Sequence, residues 1–321
     1  CRKCEPSVTA SVIRSDTVQP GGFYRPAAAG QAAAFVASHR FPVLVVGAMA
    51  FAWMGDLGSG SATLAACAAI LILGLPHGAL DLALLRQHGA DAAGRWAELI
   101  LTYAALAGIA LLLWAFAPGL GLALFLANAV LHFAEDWEAA GSRFLALGLA
   151  FATISAPGLL NLAQLEVLFA ILVPGGAGEA AAQALRLLAP ASLLVAAIAI
   201  LRLWQLGGAV PAMQAIATLA GMLVLPPLIG FALYFCALHS PTQFRAAHQS
   251  LPQTARPLFH AAAATLGAFA LAAVLFLMAG GTSLGSRAVA ATFVTLAVLT
   301  VPHTLMPAIL RRWQRPIIKR S

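Results

Sequence analysis

Charge is what this sequence has least of. Only 9% of its 321 residues are Asp, Glu, Lys or Arg, against about a quarter in a soluble domain. Such a chain cannot cover a water-facing surface, so a soluble fold is excluded and an integral membrane protein is expected. Strict polar/apolar alternation is missing from the long Ala/Leu/Ile runs, which excludes a lipid-facing β-barrel and leaves helices as the spanning element. Cysteine is scarce as well. Cys67 and Cys236 fall in apolar runs, and the Cys1–Cys4 CxxC has no second pair or nearby histidine to complete a zinc site. Histidine pairs of the HxxxH or HxxHH type, which membrane di-iron desaturases and hydroxylases need, do not occur. Neither does a convincing two-fold internal repeat of the kind transporters often show. The first thirty or so residues lack the apolar core of a signal peptide and read as a disordered cytoplasmic leader.

What is present is hydrophobic, 61% of the chain. A hydrocarbon core of about 30 Å needs roughly 20 apolar residues per helix. Runs of that kind cover 41–57, 61–85, 97–117, 119–137, 144–160, 188–206, 212–239, 258–279 and 288–310, with a shorter stretch at 162–173 that is either a short span or a re-entrant helix. The net charge of +7 is no sign of nucleic-acid binding, because Lys and Arg sit mostly between these runs and five crowd the last eleven positions. That placement reads as topology signal and contact with anionic membrane lipid. If 162–173 crosses, Arg86, Arg95, Arg143, Arg186, Arg245, Arg256 and the C-terminal cluster all face the cytoplasm, leaving Arg202 and Arg287 opposite. The expected fold is all-α and polytopic, with about 8–10 transmembrane helices, ten preferred, and both termini cytoplasmic. A leader at 1–34, a membrane domain at 35–313 and a basic tail at 314–321 complete the layout.

Ionisable groups inside these runs are costly to bury and therefore mark functional candidates. His77, His132, His239 and His303 lie within or at the ends of spans, in GLPHGALD, VLHFAEDW, YFCALHSPTQ and TVPHTLMP. In the ten-span arrangement all four sit at one depth on helices running the same way, so a buried histidine metal site is expected. Any one of them alone would more simply be a hydrogen-bonded core histidine. Asp81 and Asp136 follow His77 and His132 by four residues, one helical turn. Each is expected to accept the second ring N–H of its own histidine, fixing tautomer and orientation. Imidazoles without thiolate suit iron, copper or zinc. A proton relay through His77, Asp81, His132 and Asp136 in a transporter, or a bis-histidine haem site, would use the same residues. His39, His88, His248 and His260 lie in or beside polar loops and read as surface groups.

In their order, PHGALD (76–81), HFAED (132–136), YFCALHS (234–240) and VPH (301–303) resemble the motifs of the Brp/Blh family of bacterial and archaeal β-carotene dioxygenases. The resemblance covers about 40–310. It implies a polytopic enzyme of the plasma membrane that holds non-haem Fe(2+) on histidines. It further implies cleavage of β-carotene by O₂ at the central double bond into two retinal, typically destined for a rhodopsin. His77, His132 and His239 match family histidines thought to bind iron. The family's third motif reads HSxxH, whereas here Gln243 stands where the second histidine is expected. His303 or Gln243 would then complete the metal site, or the member is inactive. Phe133, Trp137, Phe231, Tyr234 and Phe235 flank the motifs and could clamp a polyene, although ordinary helix packing explains each equally well.

Overall fold

The computed structural model describes residues 31–52, 55–81, 83–84, 93–251, 255–280 and 283–313. Cys1, Cys4, Arg86, His88, the first thirty leader residues and the basic tail 314–321 lie outside the described residues, as do the side chains of His39, Arg95 and Arg256. Among the described residues every regular element is helical.

The chain runs through α1 (Gln31–Ala52), α2 (Gly60–Ala69), a π turn (Ile70–Gly74), α3 (Pro76–Ala79), α4 (Ala93–Phe116) and α5 (Pro118–Phe133). A 3₁₀ segment (Ala134–Ala140), α6 (Arg143–Ser155), α7 (Pro157–Leu160), α8 (Leu162–Leu172), α9 (Ala177–Leu206) and α10 (Ala209–Val224) follow. The last elements are α11 (Pro227–Tyr234), a second π turn (Phe235–His239), α12 (Ser240–Gln249), α13 (Ala255–Met278) and α14 (Leu284–Trp313). The helix α1 takes in residues 31–34 of the stretch read as leader.

Seven helical stretches among the described residues are long and apolar enough to cross a membrane: Gly60–Ala79, Trp96–Phe116, Pro118–Ala140, Arg143–Leu160, Ala177–Leu206, Phe259–Met278 and Leu284–Met306. Their outer faces carry Phe116, Leu187, Leu277 and Met278 largely exposed. Such a surface suits lipid rather than water. The 162–173 stretch forms an 11-residue helix, about 16 Å long at 1.5 Å per residue. The chain then reverses at Gly175 and Gly176, whose φ of +85° and +88° side-chain-bearing residues seldom adopt.

The expected single span 212–239 is broken. Pro226 and Pro227 bring no N–H to the backbone ladder, so α10 ends at Val224 and α11 starts afresh. Carbonyls left over at that end are taken by Asn161, whose Nδ2 donates to Leu223 O at 2.8 Å and Leu225 O at 3.2 Å. At the centre lies α14, the most buried of the long helices, packed against α2, α4, α5, α8 and α13. Arg287 at its start donates to the carbonyl of Phe276 at 2.8 Å and covers that ring, tying α14 to α13.

Candidate metal centre

His77 follows the first π turn, where the ladder widens to i→i+5 bonds; Leu75 N donates to Ile70 O at 3.2 Å. Pro76 brings no N–H, and the last carbonyls of the turn accept from side chains instead. His77 Nδ1 meets Gly74 O at 2.5 Å, and Ser240 Oγ donates to Leu73 O at 2.8 Å and Gly74 O at 3.1 Å. The His77 ring is thus oriented by its own backbone and not by Asp81.

His132 sits on the last turn of α5, just before the chain tightens into 3₁₀ geometry. With three residues per turn, position i+3 and not i+4 follows the histidine's face. Glu135 accordingly lies 3.3 Å from His132 Nδ1, its side chain 54% exposed. Asp136 is rotated away, toward α11 and α12. There its Oδ2 accepts from His239 Nδ1 at 2.8 Å and from Tyr234 Oη at 2.7 Å, and its Oδ1 from Gln243 Nε2 at 3.0 Å. Asp81 Oδ2 in turn meets His303 Nδ1 at 2.5 Å. Both aspartates do contact an imidazole, but the expected pairing within one helix is corrected to pairing between helices.

The four rings form a closed circuit. Centroid separations are 5.1 Å from His77 to His239, 4.8 Å from His239 to His132, 4.8 Å from His132 to His303 and 5.3 Å from His303 to His77. His77 and His132 face each other across it at 6.1 Å with planes 14° apart. Ligand atoms of His77, His132 and His239 all lie within 4.8 Å of one another.

The Nδ1 partners of His77, His239 and His303 are oxygens that only accept, so each Nδ1 carries the proton and each Nε2 keeps its lone pair. The Nε2 atoms of His132 and His239 are buried and have no hydrogen-bond partner among the described residues. An unsatisfied buried polar atom costs about 1–3 kcal/mol, and two of them on adjoining rings suit a shared cation. The donor set fits a borderline metal such as iron, copper or zinc.

Beside the rings lies a cavity of about 250 Å³, walled mostly by apolar side chains. His77, His132 and His303 form its polar end; Phe133, Phe231 and Phe235 line it, as do Tyr103, Phe125 and the small residues Ala264, Gly267 and Ala268 of α13. Trp137 and Tyr234 do not reach it. Trp137 is buried in the core, and Tyr234 spends its hydroxyl on Asp136. Gln243 lies behind His239, facing Asp136. His248 and His260, expected at the surface, are half-buried against Phe244 and Trp96. The Gly74 carbonyl and the hydroxyls of Tyr234 and Ser240 were not legible as site groups; the Gly-Leu-Pro break before His77 was the available signal.

The sequence profile of the family described as beta-carotene 15,15'-dioxygenase matches residues 68–311. The curated beta-carotene 15,15'-dioxygenase of uncultured marine bacterium 66A03 is 28% identical over 270 residues, covering 75% of this chain and 91% of the relative. No solved structure matches the chain. The matched region contains all four histidines of the circuit and most of the sequence, and the chain belongs to the beta-carotene 15,15'-dioxygenase family, whose members are carotenoid-cleaving enzymes.

Proposed function

We propose that this protein cleaves β-carotene at its central double bond with O₂, on Fe(2+) held by His77, His132 and His239 with His303 as the fourth ligand. The observation that carries this reading is the circuit of four imidazoles at one end of an aromatic-walled cavity, with the Nε2 atoms of His132 and His239 buried and without a partner among the described residues. In the reaction one C=C bond breaks, two C=O bonds form, and each oxygen atom of O₂ ends in one retinal. A bound Fe(2+) supplies the one-electron chemistry that O₂ needs to react with a closed-shell polyene.

The chain's own residues do the positioning. Asp136 and Asp81 hold the rings of His239 and His303 through Nδ1–H, and the Gly74 carbonyl holds His77. A carboxylate behind a ligand histidine fixes its tautomer and raises its basicity. None of these groups is asked to move a proton. Phe133, Phe231 and Phe235 offer apolar faces to the polyene and keep water out. Pockets for drug-sized molecules run to roughly 300–1,000 Å³, and a C40 hydrocarbon exceeds such molecules. A 250 Å³ cavity therefore takes only part of the chain at a time.

Gln243 stands where the family motif has histidine, and an inactive relative remains the rival reading. The outer faces of the long apolar helices suit a plasma-membrane enzyme; the Leu162–Leu172 helix, about 16 Å long, is roughly half of what a core of about 30 Å requires and does not support a ten-span count. Substrate then comes from the lipid, and retinal is passed to an acceptor such as a rhodopsin. Expression in β-carotene-producing bacteria tests the proposal. Loss of orange colour with appearance of retinal, abolished by His77→Ala, supports it; unchanged carotenoid with the protein present in the membrane refutes it.

A further inference from the structure

Gln243 lies one helical turn after His239, and Tyr234 lies one π turn before it. In a regular α-helix residues five apart diverge by about 140°. The i→i+5 turn at Phe235–His239 brings Tyr234 and His239 to one face, so both reach the same carboxylate oxygen. Gln243 reaches the other oxygen. A carboxylate only accepts, so the amide atom facing Asp136 must be the NH₂. Asp136 and His239 are 4% and 0% exposed, and a buried carboxylate is stable only when its oxygens are engaged. Three donors from one helix thus clamp a carboxylate supplied by another.

We propose that Tyr234 and Gln243 are positioning residues that hold His239 through Asp136, and that Gln243 is not a ligand of the metal. The proposal rests on the reading of His239 as a metal ligand only for its consequence in metal affinity; the clamp itself is a property of the metal-free protein. With the amide committed to Asp136, the place of the family's second HSxxH histidine is not filled from position 243. The circuit is closed from the other side by His303 of α14. Losing either donor frees the carboxylate to rotate, and the Nδ1–H tautomer of His239 loses its anchor.

The test uses the full-length protein in detergent, with Co(II) as the probe metal. Gln243→Met keeps chain length but cannot donate, and Tyr234→Phe removes one oxygen. Each is expected to weaken Co(II) binding roughly 10- to 100-fold, as loss of outer hydrogen bonds does at metal sites, and to have no further effect in an Asp136→Asn background. Gln243→His is expected not to tighten Co(II) binding. An additive loss for Gln243→Met on top of Asp136→Asn, or tighter binding by Gln243→His, overturns the proposal by assigning position 243 to the metal. If the wild type binds no Co(II), the metal reading fails, and the clamp is judged by imidazole ¹⁵N resonances of the metal-free protein. The wild type should show His239 as the Nδ1–H tautomer, and Gln243→Met and Tyr234→Phe should show a mixture. Unmixed Nδ1–H in both variants overturns the clamp. Should Gln243→Met fail to accumulate, Tyr234→Phe carries the same expectation and the same refutation.

Discussion

Gly74→Ala is a single-methyl probe of how tightly the metal centre is set. A Cβ built at Gly74 lies 2.3 Å from Cε1 and 2.6 Å from Cδ1 of Phe235. Carbon atoms in contact settle near 3.5 Å, so the ring must retreat by about 1.2 Å. The ring stacks with Phe231 at 5.3 Å and with His239 at 5.4 Å and stands edge-to-face with His77 at 5.5 Å, so it can retreat only by disturbing these contacts or by entering the cavity it lines. Overpacking of this kind costs about 1–3 kcal/mol, and a displacement of about 1 Å at a reacting centre can cost on the order of 100-fold in rate. Gly74→Ala is therefore expected to lower the melting temperature in detergent and to cut retinal formation by 10- to 100-fold, the range this displacement implies. Gly74→Ala combined with Phe235→Leu, which clears the space, should recover part of the lost melting temperature. A Gly74→Ala protein with wild-type melting and wild-type retinal yield would refute the argument that Phe235 is wedged between the backbone and the histidines.

Asp81→Asn should weaken Co(II) binding by roughly 10- to 100-fold, and imidazole ¹⁵N resonances of the metal-free variant should show His303, not His77, losing its pure Nδ1–H tautomer, because Asp81 acts on His303; a change at His77 with His303 unaltered would return Asp81 to His77. His303→Ala alone should abolish both metal retention and retinal formation, as measured by metal analysis of purified protein and by extraction of cells. Gly267→Phe should block cleavage while leaving Co(II) affinity unchanged, since a Cβ at Gly267 meets nothing within 4 Å and the site lines the cavity. Normal retinal output from that variant would mean that substrate does not use this cavity.

The membrane class and the four histidines were legible in the sequence for one reason. Ionisable residues in long apolar runs are rare enough that each demands a partner or a task. Their pairing was not legible, because the i, i+4 rule presumes unbroken α-helix. The helix α3 stops at Ala79, between His77 and Asp81, and His132 is followed by a 3₁₀ segment, so the carboxylates at 81 and 136 point to other helices. The break at Pro226–Pro227 stood in plain view, yet average hydropathy over 212–239 ran straight through it. Tyr234 read as a wall for substrate because an aromatic ring among apolar neighbours gives no hint of where its hydroxyl goes. Only the three-dimensional approach of the 3₁₀ segment to α11 reveals that.

The second π turn makes this centre forgiving of a change in residue number on one side of His239 and intolerant of it on the other. Deleting one residue within 235–238 would convert the wide turn to an ordinary one, in which Tyr234 and His239 stand four apart and still share a face. The stretch from His239 to Gln243 has no such slack, because Ser240–Gln249 is regular α-helix. One residue more or fewer there would swing Gln243 by about 100° and shift it by about 1.5 Å relative to His239, taking its amide off Asp136 although no functional side chain had been replaced. Variation among natural homologues should therefore spare the spacing from His239 to position 243 more strictly than the length of the turn before it.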